Sequence, residues 1–312
     1  MHSHDLSPWT HSHVFDAGSH AAERGTRTVM WITAAMMVVE IWAGWWFNSM
    51  ALLADGWHMS SHAFAIGLSA YTYVAARRYA EDSRFAFGTW KIEILGGYTS
   101  AVFLLGVAAM MVFASVERIA APQTIHFPQA IGVAVVGLVV NIACAIILGR
   151  AEAHHVHAHD AHGAHHQHHD LNLRSAYVHV IADAATSVLA IVALLGGMLF
   201  GWNWLDPVMG IVGAILVARW AWGLLRDTSR ILLDREMDNP VGAEIAEVIS
   251  KLDHTKSTRI ADLHLWRVGR ARFACILSLV THDPELTPER VKARLREHEE
   301  LAHVTVEINQ CA

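Results

Sequence analysis

Long apolar stretches alternate with short polar segments over the first 230 residues of the chain. A helix that crosses a membrane needs about 20 consecutive, mostly apolar residues. Six stretches meet this length, and the sixth is the weakest because Arg219 interrupts it. The pattern therefore predicts an all-α bundle of six transmembrane helices, at residues 29–47, 50–76, 95–116, 127–149, 176–201 and 207–225.

The pattern changes after residue 232 to that of a small soluble domain. An apolar stripe with helical spacing covers residues 241–252, and alternating runs follow at 260–266 and 273–279. Residues 287–289 have the composition of a helix start, and residues 304–308 alternate again. This order predicts an α+β domain, α-β-β-α-β, with its helices on one face of a three-stranded sheet. The first strand is expected to place three apolar side chains on one face, those of Ala261, Leu263 and Leu265.

Basic residues are distributed unevenly between the two sides of the predicted membrane. Short cytoplasmic loops carry an excess of Lys and Arg. One side of the six-helix topology carries only Arg118, whereas the other carries Arg24, Arg27, Arg77, Arg78, Arg84, Lys91, Arg150 and Arg174. Both termini are therefore expected in the cytoplasm. The predicted organisation is a histidine-bearing cytoplasmic tail at 1–27, a transmembrane domain at 28–232 and a cytoplasmic domain at 233–312.

Histidine is the unusual feature of the composition, with 23 residues, as many as Lys and Arg together. Five lie in the tail and nine lie between His154 and His169, in a predicted cytoplasmic loop at 151–172. This loop lacks a helical pattern, and we predict that it is disordered. It either collects metal near the entrance of a transport path or acts as a spacer whose histidines bind metal adventitiously. The formal net charge of −6 disfavours a nucleic-acid partner.

Two pairs of polar residues lie inside the predicted spans. His58 and His62 are four residues apart in the second span, and so are His179 and Asp183 in the fifth. An ionisable group at membrane depth costs roughly 2.5–3.5 kcal/mol on insertion scales, so such groups normally face a partner or a cavity. Residues at i and i+4 share one helix face, and two facing pairs offer three imidazoles and one carboxylate. Such a set suits a tetrahedral divalent cation such as Zn, Co or Ni better than Ca or Mg.

The same four groups bind protons as well as metal. Free imidazole titrates near pH 6.5, and a metal ligand must be deprotonated. Metal binding and proton release are therefore opposite sides of one equilibrium, which predicts exchange of metal for protons. A lone histidine in a span is more often a hydrogen-bond partner than a ligand, but two spaced pairs in two spans indicate a shared metal site, His58, His62, His179 and Asp183.

Three further polar residues lie in the spans, and two of them, Asp55 and Glu40, remain open to two interpretations each. Asp55 either orients an imidazole ligand or begins the second helix at the membrane interface. Glu40 is either functional or positioned near the outer interface. Asn141 most simply joins two helices by a hydrogen bond.

The sequence contains no P-loop, GxSxG or HExxH motif, and its three cysteines form no CxxC pair. We therefore expect neither an enzyme nor a bound cofactor. The leading interpretation is a transporter that exports Co²⁺, Ni²⁺ or Zn²⁺ in exchange for protons. The alternatives are a membrane metal sensor and an uptake permease on a similar scaffold.

Several motifs identify a family resemblance over residues 27–310. The chain resembles the cation diffusion facilitators, and most closely their cobalt- and nickel-exporting subgroup. The segments that carry the resemblance are 51–58 (ALLADGWH) with His62, Phe87-Gly88 through Lys91 and Glu93, Asn141, His179-x-x-x-Asp183, Asp206-Pro207, 232–235 (LLDR) and 262–266 (DLHLW).

This resemblance implies a six-helix metal/proton antiporter of a bacterial inner membrane with a ferredoxin-like cytoplasmic domain. It implies that His58, His62, His179 and Asp183 form the transport site, and that Lys91 and Asp234 form a charge interlock in a homodimer. Family members often bind zinc in the cytoplasmic domain. Ala261 and Ser278 replace two of those ligands here, which leaves His254, His264 and His282 as candidates. In a second family site, between helices 2 and 3, Asp82 is the one counterpart.

Overall fold

A computed structural model describes residues 23–156, 184–252 and 257–311. The helices are α1 (Glu23–Trp46), α2 (Met50–Arg78), α3 (Trp90–Ala120), α4 (Phe127–Val156), α5 (Ala184–Phe200), α6 (Leu205–Leu232), α7 (Pro240–Leu252) and α8 (Pro288–Leu295). The strands are β1 (Arg259–Gly269), β2 (Arg272–Thr281) and β3 (Leu301–Gln310). The described residues fall into two compact units. The first unit contains residues 23–68 and the described residues within 99–223, and the second contains residues 69–98 and the described residues from 224 onwards.

Helix α2 lies at the centre of the first unit, because its side chains enter two separate apolar clusters. Leu52 packs with Ala43 of α1, Ala134 of α4 and Leu194 of α5. Ala54 packs with side chains of α3 and α6. Small residues let the helices approach closely: a Cβ added at Gly213 of α6 would lie 3.1 Å from that of Ala54.

Large apolar side chains cover the outside of this unit. Aromatic residues concentrate at helix ends, where membrane proteins place them at the boundary between lipid and water. Exposed examples at the end of α1 and between α5 and α6 are Trp42, Trp45, Trp46, Phe200, Trp202 and Trp204. A soluble protein rarely exposes such a surface, so we assign it to contact with lipid.

Within the part of the chain that the structure describes, α3 and α6 meet the length and apolar composition of a spanning helix. Residues Phe127–Ala143 and Ala184–Phe200 form shorter apolar helical segments. Helix α6 qualifies even though exposed Arg219 interrupts it. Each of the six predicted spans overlaps one of the helices α1 to α6, while the number that cross a membrane stays a prediction.

Two predicted boundaries are wrong. Helix α1 begins at Glu23, inside the predicted tail, and α4 continues to Val156, into the segment predicted to be disordered. Residues 151–153 are Ala-Glu-Ala, which are strong helix formers, and a helix that already exists extends without a new nucleation step. The rest of the predicted loop and the tail before Glu23 lie outside the described residues.

The second unit contains the α-β-β-α-β order predicted from the sequence, formed by α7, β1, β2, α8 and β3. The sheet order is β1-β2-β3, with β1 and β2 antiparallel and β2 and β3 parallel. Both helices pack on one face, in a core that includes Ile245, Leu277 and Leu295. The predicted helix start is confirmed: the Thr287 side chain accepts a hydrogen bond from the backbone N–H of Arg290, and Pro288 follows it.

The prediction of which β1 side chains share one face is wrong for Ala261. A β-bulge places Ile260 and Asp262 of β1 opposite consecutive residues of β2, and Ala261 is the extra residue. Ile260 therefore packs with Leu263 and Leu265 against the core, while Ala261 is exposed. Strict alternation along the strand cannot anticipate such an inserted residue.

The segment between α2 and α3 contacts the sheet within the second unit. The ring of Phe87 packs edge-on against Trp266, with centroids 5.1 Å apart, and against His303, at 5.6 Å. Lys91, at the start of α3, donates from Nζ to Asp234 Oδ1 at 2.5 Å. Asp234 has a φ of 53°, the left-handed conformation that often ends a helix, here α6. These contacts join three of the segments that carry the family resemblance, at 87–93, 232–235 and 262–266.

Candidate metal-transport site

The start of α2 is fixed by a carboxylate from another helix. Asp206, in the first turn of α6, accepts hydrogen bonds from Ser49 Oγ at 2.7 Å, Met50 N at 2.7 Å and Ala51 N at 3.1 Å. The first backbone N–H groups of a helix have no partner within the helix, and its N-terminus favours negative charge. Asp206 therefore caps α2 and holds its first turn against α6.

A small cavity lies one turn further along α2. Its volume is about 20 Å³, and it is lined by Asp55 and His58 of α2, Thr186 and Ala190 of α5, and Gly213 of α6, among others. A cavity needs about 10–15 Å³ to hold one water molecule. The space beside His58 therefore accommodates one water molecule or one bare metal ion.

Asp55 joins α2 to α5. Ser187 Oγ donates a hydrogen bond to Asp55 Oδ2 at 2.7 Å, and Asp55 is 5 % exposed. This burial is inconsistent with a helix-start residue at the membrane interface. It leaves the alternative in which Asp55 belongs to the surroundings of the metal site, where its contact with Ser187 aligns the two helices.

Glu40 is fully buried in the helical unit. It lies within α1, is 0 % exposed, and neither carboxylate oxygen has a hydrogen-bond partner among the described residues. Two glycines give it room: a Cβ added at Gly137 of α4 would collide with Oε1, and one added at Gly56 of α2 would lie 3.1 Å from the Glu40 Cβ. Glu40 is therefore enclosed between helices, and its two interpretations, as a functional residue and as a residue near the outer interface, both stay predictions.

The four predicted metal ligands are covered unequally by the structure. His58 is half-buried and lines the cavity. His62 lies one turn later in α2, but its side chain is outside the described part of the chain, as are His179 and Asp183. The structure thus brings α2 and α5 together beside His58. The ligand roles of the four residues stay predictions.

Asp82, the one counterpart of the family's second site between helices 2 and 3, forms an ion pair with Arg84. Arg84 donates to both carboxylate oxygens of Asp82, at distances from 2.6 to 3.0 Å. The hydrogen bonds from Arg84 lower the pKa of Asp82 to about 2. A metal ion at Asp82 would have to displace this arginine.

Two histidine candidates of the α+β unit, His264 and His282, are exposed, and His254 lies outside the described residues. His264 Nε2 lies 2.9 Å from Asp262 Oδ2, on the surface of β1. Neither His264 nor His282 belongs to a group of three close metal-ligating side chains in the described ranges. The one such group found there is Glu244, His298 and Glu300, whose donor atoms lie within 4.8 Å of one another.

Sequence reasoning missed the roles of Asp206 and Ser187. The capping role of Asp206 depends on a contact 155 to 157 positions away along the chain, which local spacing does not reveal. Ser187 has a weak signal, because it follows Asp183 by one helical turn in the sequence. The missed residues are therefore those that position the site rather than those proposed to bind metal.

Comparison of the sequence with known proteins identifies the family of this chain. Residues 27–233 match the model of the cation efflux transmembrane domain. The cadmium, cobalt and zinc/H(+)-K(+) antiporter of Bacillus subtilis is 28 % identical over 303 residues, 93 % of this chain and 91 % of that protein. Zinc transporter ZitB of Escherichia coli is 28 % identical over 305 residues, 96 % and 92 % of the two chains. Cation efflux system protein CzcD of Alcaligenes sp. is 26 % identical over 302 residues, 95 % and 89 %. Because the domain match covers about two thirds of its length, the chain belongs to the cation efflux family of multi-pass membrane proteins.

Proposed function

We propose that the protein is a secondary active transporter that exports divalent transition-metal ions from the cytoplasm in exchange for protons. The observation that carries this proposal is the position of His58, which lines an ion-sized cavity between α2, α5 and α6. Functional groups inside membrane proteins typically face such cavities. The names of the relatives given above include cadmium, cobalt, zinc and H⁺, which agrees with this substrate class.

The proposed metal ligands are His58, His62, His179 and Asp183. A helix that continues α5 by one turn towards its N-terminus would carry Asp183 on the face of Ser187, which contacts Asp55. His179 would follow one turn earlier. Three neutral imidazoles and one carboxylate provide four N and O ligands for Zn²⁺, Co²⁺ or Ni²⁺.

Proton exchange follows from the chemistry of these ligands. Each imidazole binds either a proton or a metal ion, so a higher proton concentration releases metal. A site that opens alternately to the two sides would therefore load metal where protons are scarce and release it where they are abundant. Protons would then flow inwards as metal leaves.

We further propose a homodimer with six spanning helices in each subunit, both termini in the cytoplasm and a ferredoxin-like cytoplasmic domain. The α-β-β-α-β order and the parallel pairing of β2 with β3 support the last of these. The contact between Lys91 and Asp234 supports a charge interlock at the cytoplasmic face of the membrane. The bias of Lys and Arg towards one side supports the orientation.

Metal binding to the purified protein tests the proposed ligands. Removing one of four ligands leaves an incomplete site, and we expect His58→Ala, His179→Ala and Asp183→Ala each to weaken binding of Zn²⁺ or Co²⁺ at least about 100-fold in calorimetric titrations. His264→Ala, which removes an exposed histidine of β1, is the matched control and should bind like the parent. Parent-like binding by the Asp183→Ala variant would overturn the ligand set.

A further inference from the structure

Glu40 is a buried acid that the proposed metal site does not use. It has no exposed surface, and within the described residues no group donates a hydrogen bond to either oxygen. Buried polar groups in proteins are nearly always paired, and those that are not call for a functional explanation. An ionisable residue inside a membrane protein is by default a candidate functional site.

The described residues that pack against Glu40 leave room for its carboxyl group, and Gly56, Gly137 and Met36 among them carry no charge. Gly137 of α4 lies against Oε1, and any side chain there would occupy the position of that atom. The methyl group of Met36, one turn earlier in α1, lies near the same point. An ionised carboxylate in this apolar place would be an unpaired buried charge, which proteins avoid by neutralising the group.

The charged and titratable groups near Glu40 also disfavour an ionised carboxylate. The nearest on α2 is Asp55, which repels a negative charge on Glu40, and His58 follows one turn further along. Helix α4 has no titratable residue from Phe127 to Ala143, and α5 has none from Ala184 to Phe200. No cation on these described segments compensates a carboxylate, which favours the neutral, protonated acid.

We propose that Glu40 is a proton-binding site, distinct from the metal ligands, that carries part of the counter-flow of protons during metal export. This inference rests on the proposed antiport. Glu40 holds its proton as a neutral acid while it is enclosed by Gly56 and Gly137. When α1 separates from α4 and water enters, the acid releases that proton and becomes a carboxylate. No bond other than O–H is made or broken, and one proton is carried per cycle.

The position of Glu40 suits the entry side of this path. In the proposed topology α2 runs from the outer face to the cytoplasm, so Gly56 and Asp55 precede His58 on the outer side. Glu40 packs against Gly56 and therefore lies on the outer side of His58. Protons that enter from outside would reach Glu40 and Asp55 before they reach the histidines.

Infrared spectroscopy of the purified full-length protein tests the bound proton without requiring transport. We expect a carboxylic-acid carbonyl band from a buried group at neutral pH that disappears in the Glu40→Gln variant. The Gly137→Ala variant keeps the acid but crowds Oε1, so the band should shift rather than disappear. If the parent lacks the band, or if Glu40→Gln retains it, Glu40 is not the protonated site.

Transport stoichiometry then tests the role of that proton. In vesicles that contain the parent, metal uptake and proton release are measured together, and absence of metal movement in the parent refutes the proposed function rather than this site. If the parent transports, Glu40→Gln should move metal with about one proton fewer per ion. The control variant Ser115→Ala also removes a buried polar group that has no hydrogen-bond partner among the described residues. It should keep the parental ratio of protons to metal ions. A parental ratio in Glu40→Gln overturns the proposal, since glutamine cannot exchange a proton.

Discussion

Three buried carboxylates of the helical unit differ in what surrounds them. Asp206 accepts three hydrogen bonds at the start of α2, Asp55 is hydrogen-bonded by Ser187 of α5, and Glu40 accepts no hydrogen bond from the described residues. A buried carboxylate that is fully paired stabilises structure, whereas one without partners is normally neutral. The three residues therefore serve different purposes: Asp206 fixes a helix, Asp55 aligns two helices, and Glu40 binds a proton.

Replacing Asp206 by alanine tests its structural role. The change leaves the first N–H groups of α2 without their acceptor in a buried place, and we expect it to lower the free energy of unfolding by about 2–4 kcal/mol. Asp227→Ala removes an exposed acid from the same helix and is expected to change stability by less than about 0.5 kcal/mol. Denaturation of the purified variants in detergent gives both values. Equal stabilities would show that Asp206 does not cap α2.

Cys275 is expected to be unreactive in the folded protein. It is fully buried in the core of the α+β unit, and burial raises the pKa of its thiol to about 11. Because the thiolate is the reactive form, a thiol reagent at pH 8 should label Cys275 at least about 100-fold more slowly than the half-buried Cys311. Mass spectrometry of the labelled peptides measures both rates. Comparable labelling in the native state would mean that this core opens readily.

At the scale of elements, the boundary of α4 sharpens the question of the histidine-rich segment. Helix α4 extends to Val156, so His154 and His155 belong to a helix and the remaining histidines follow it. A collector needs the imidazoles, whereas a spacer needs only the length. The two interpretations can therefore be separated by changing composition without changing length.

Replacing the seven histidines between residues 157 and 169 by glutamine keeps the chain length and leaves α4 intact. Under the collector interpretation we expect a several-fold higher apparent KM for metal with an unchanged maximal rate, because weak imidazole binding only raises the local metal concentration. Initial rates of metal flux at low and saturating concentrations provide the test. Unchanged rates at low metal would favour the spacer.

The sequence predicted the elements better than the contacts between them. The six helices follow from the length of the apolar stretches, and the α-β-β-α-β order follows from the spacing of apolar residues. Both are local properties of the sequence. Ala261 was misplaced because a bulge depends on the register with β2, and the end of α4 because its last residues favour a helix without forming an apolar stripe. His58 was identifiable from its spacing to His62. The partners of Asp206 and the isolation of Glu40 were not, because both depend on residues far away in the chain.

At the scale of the whole molecule, the chain combines a helical unit, which contains a small cavity beside His58, with an α+β unit that has a hydrophobic core of its own. The metal ligands proposed for the cavity and the carboxyl group of Glu40 all bind protons. At the ligands, protons compete with the metal ion. Coupling then needs no separate energy source: a pH difference across the membrane biases which side releases metal. This makes a pH-driven metal gradient the distinguishing property of the proposed transporter.

Metal accumulation in sealed vesicles tests this central claim most directly. Vesicles that contain the protein, with an acidic lumen and a neutral exterior, should concentrate Zn²⁺ or Co²⁺ inside as protons leave. An ionophore that abolishes the pH difference should release the metal. The His58→Ala variant should not accumulate metal, whereas His264→Ala should accumulate it as the parent does. Metal that only equilibrates across the membrane whatever the pH difference, or equal accumulation by the His58→Ala variant, would contradict the account.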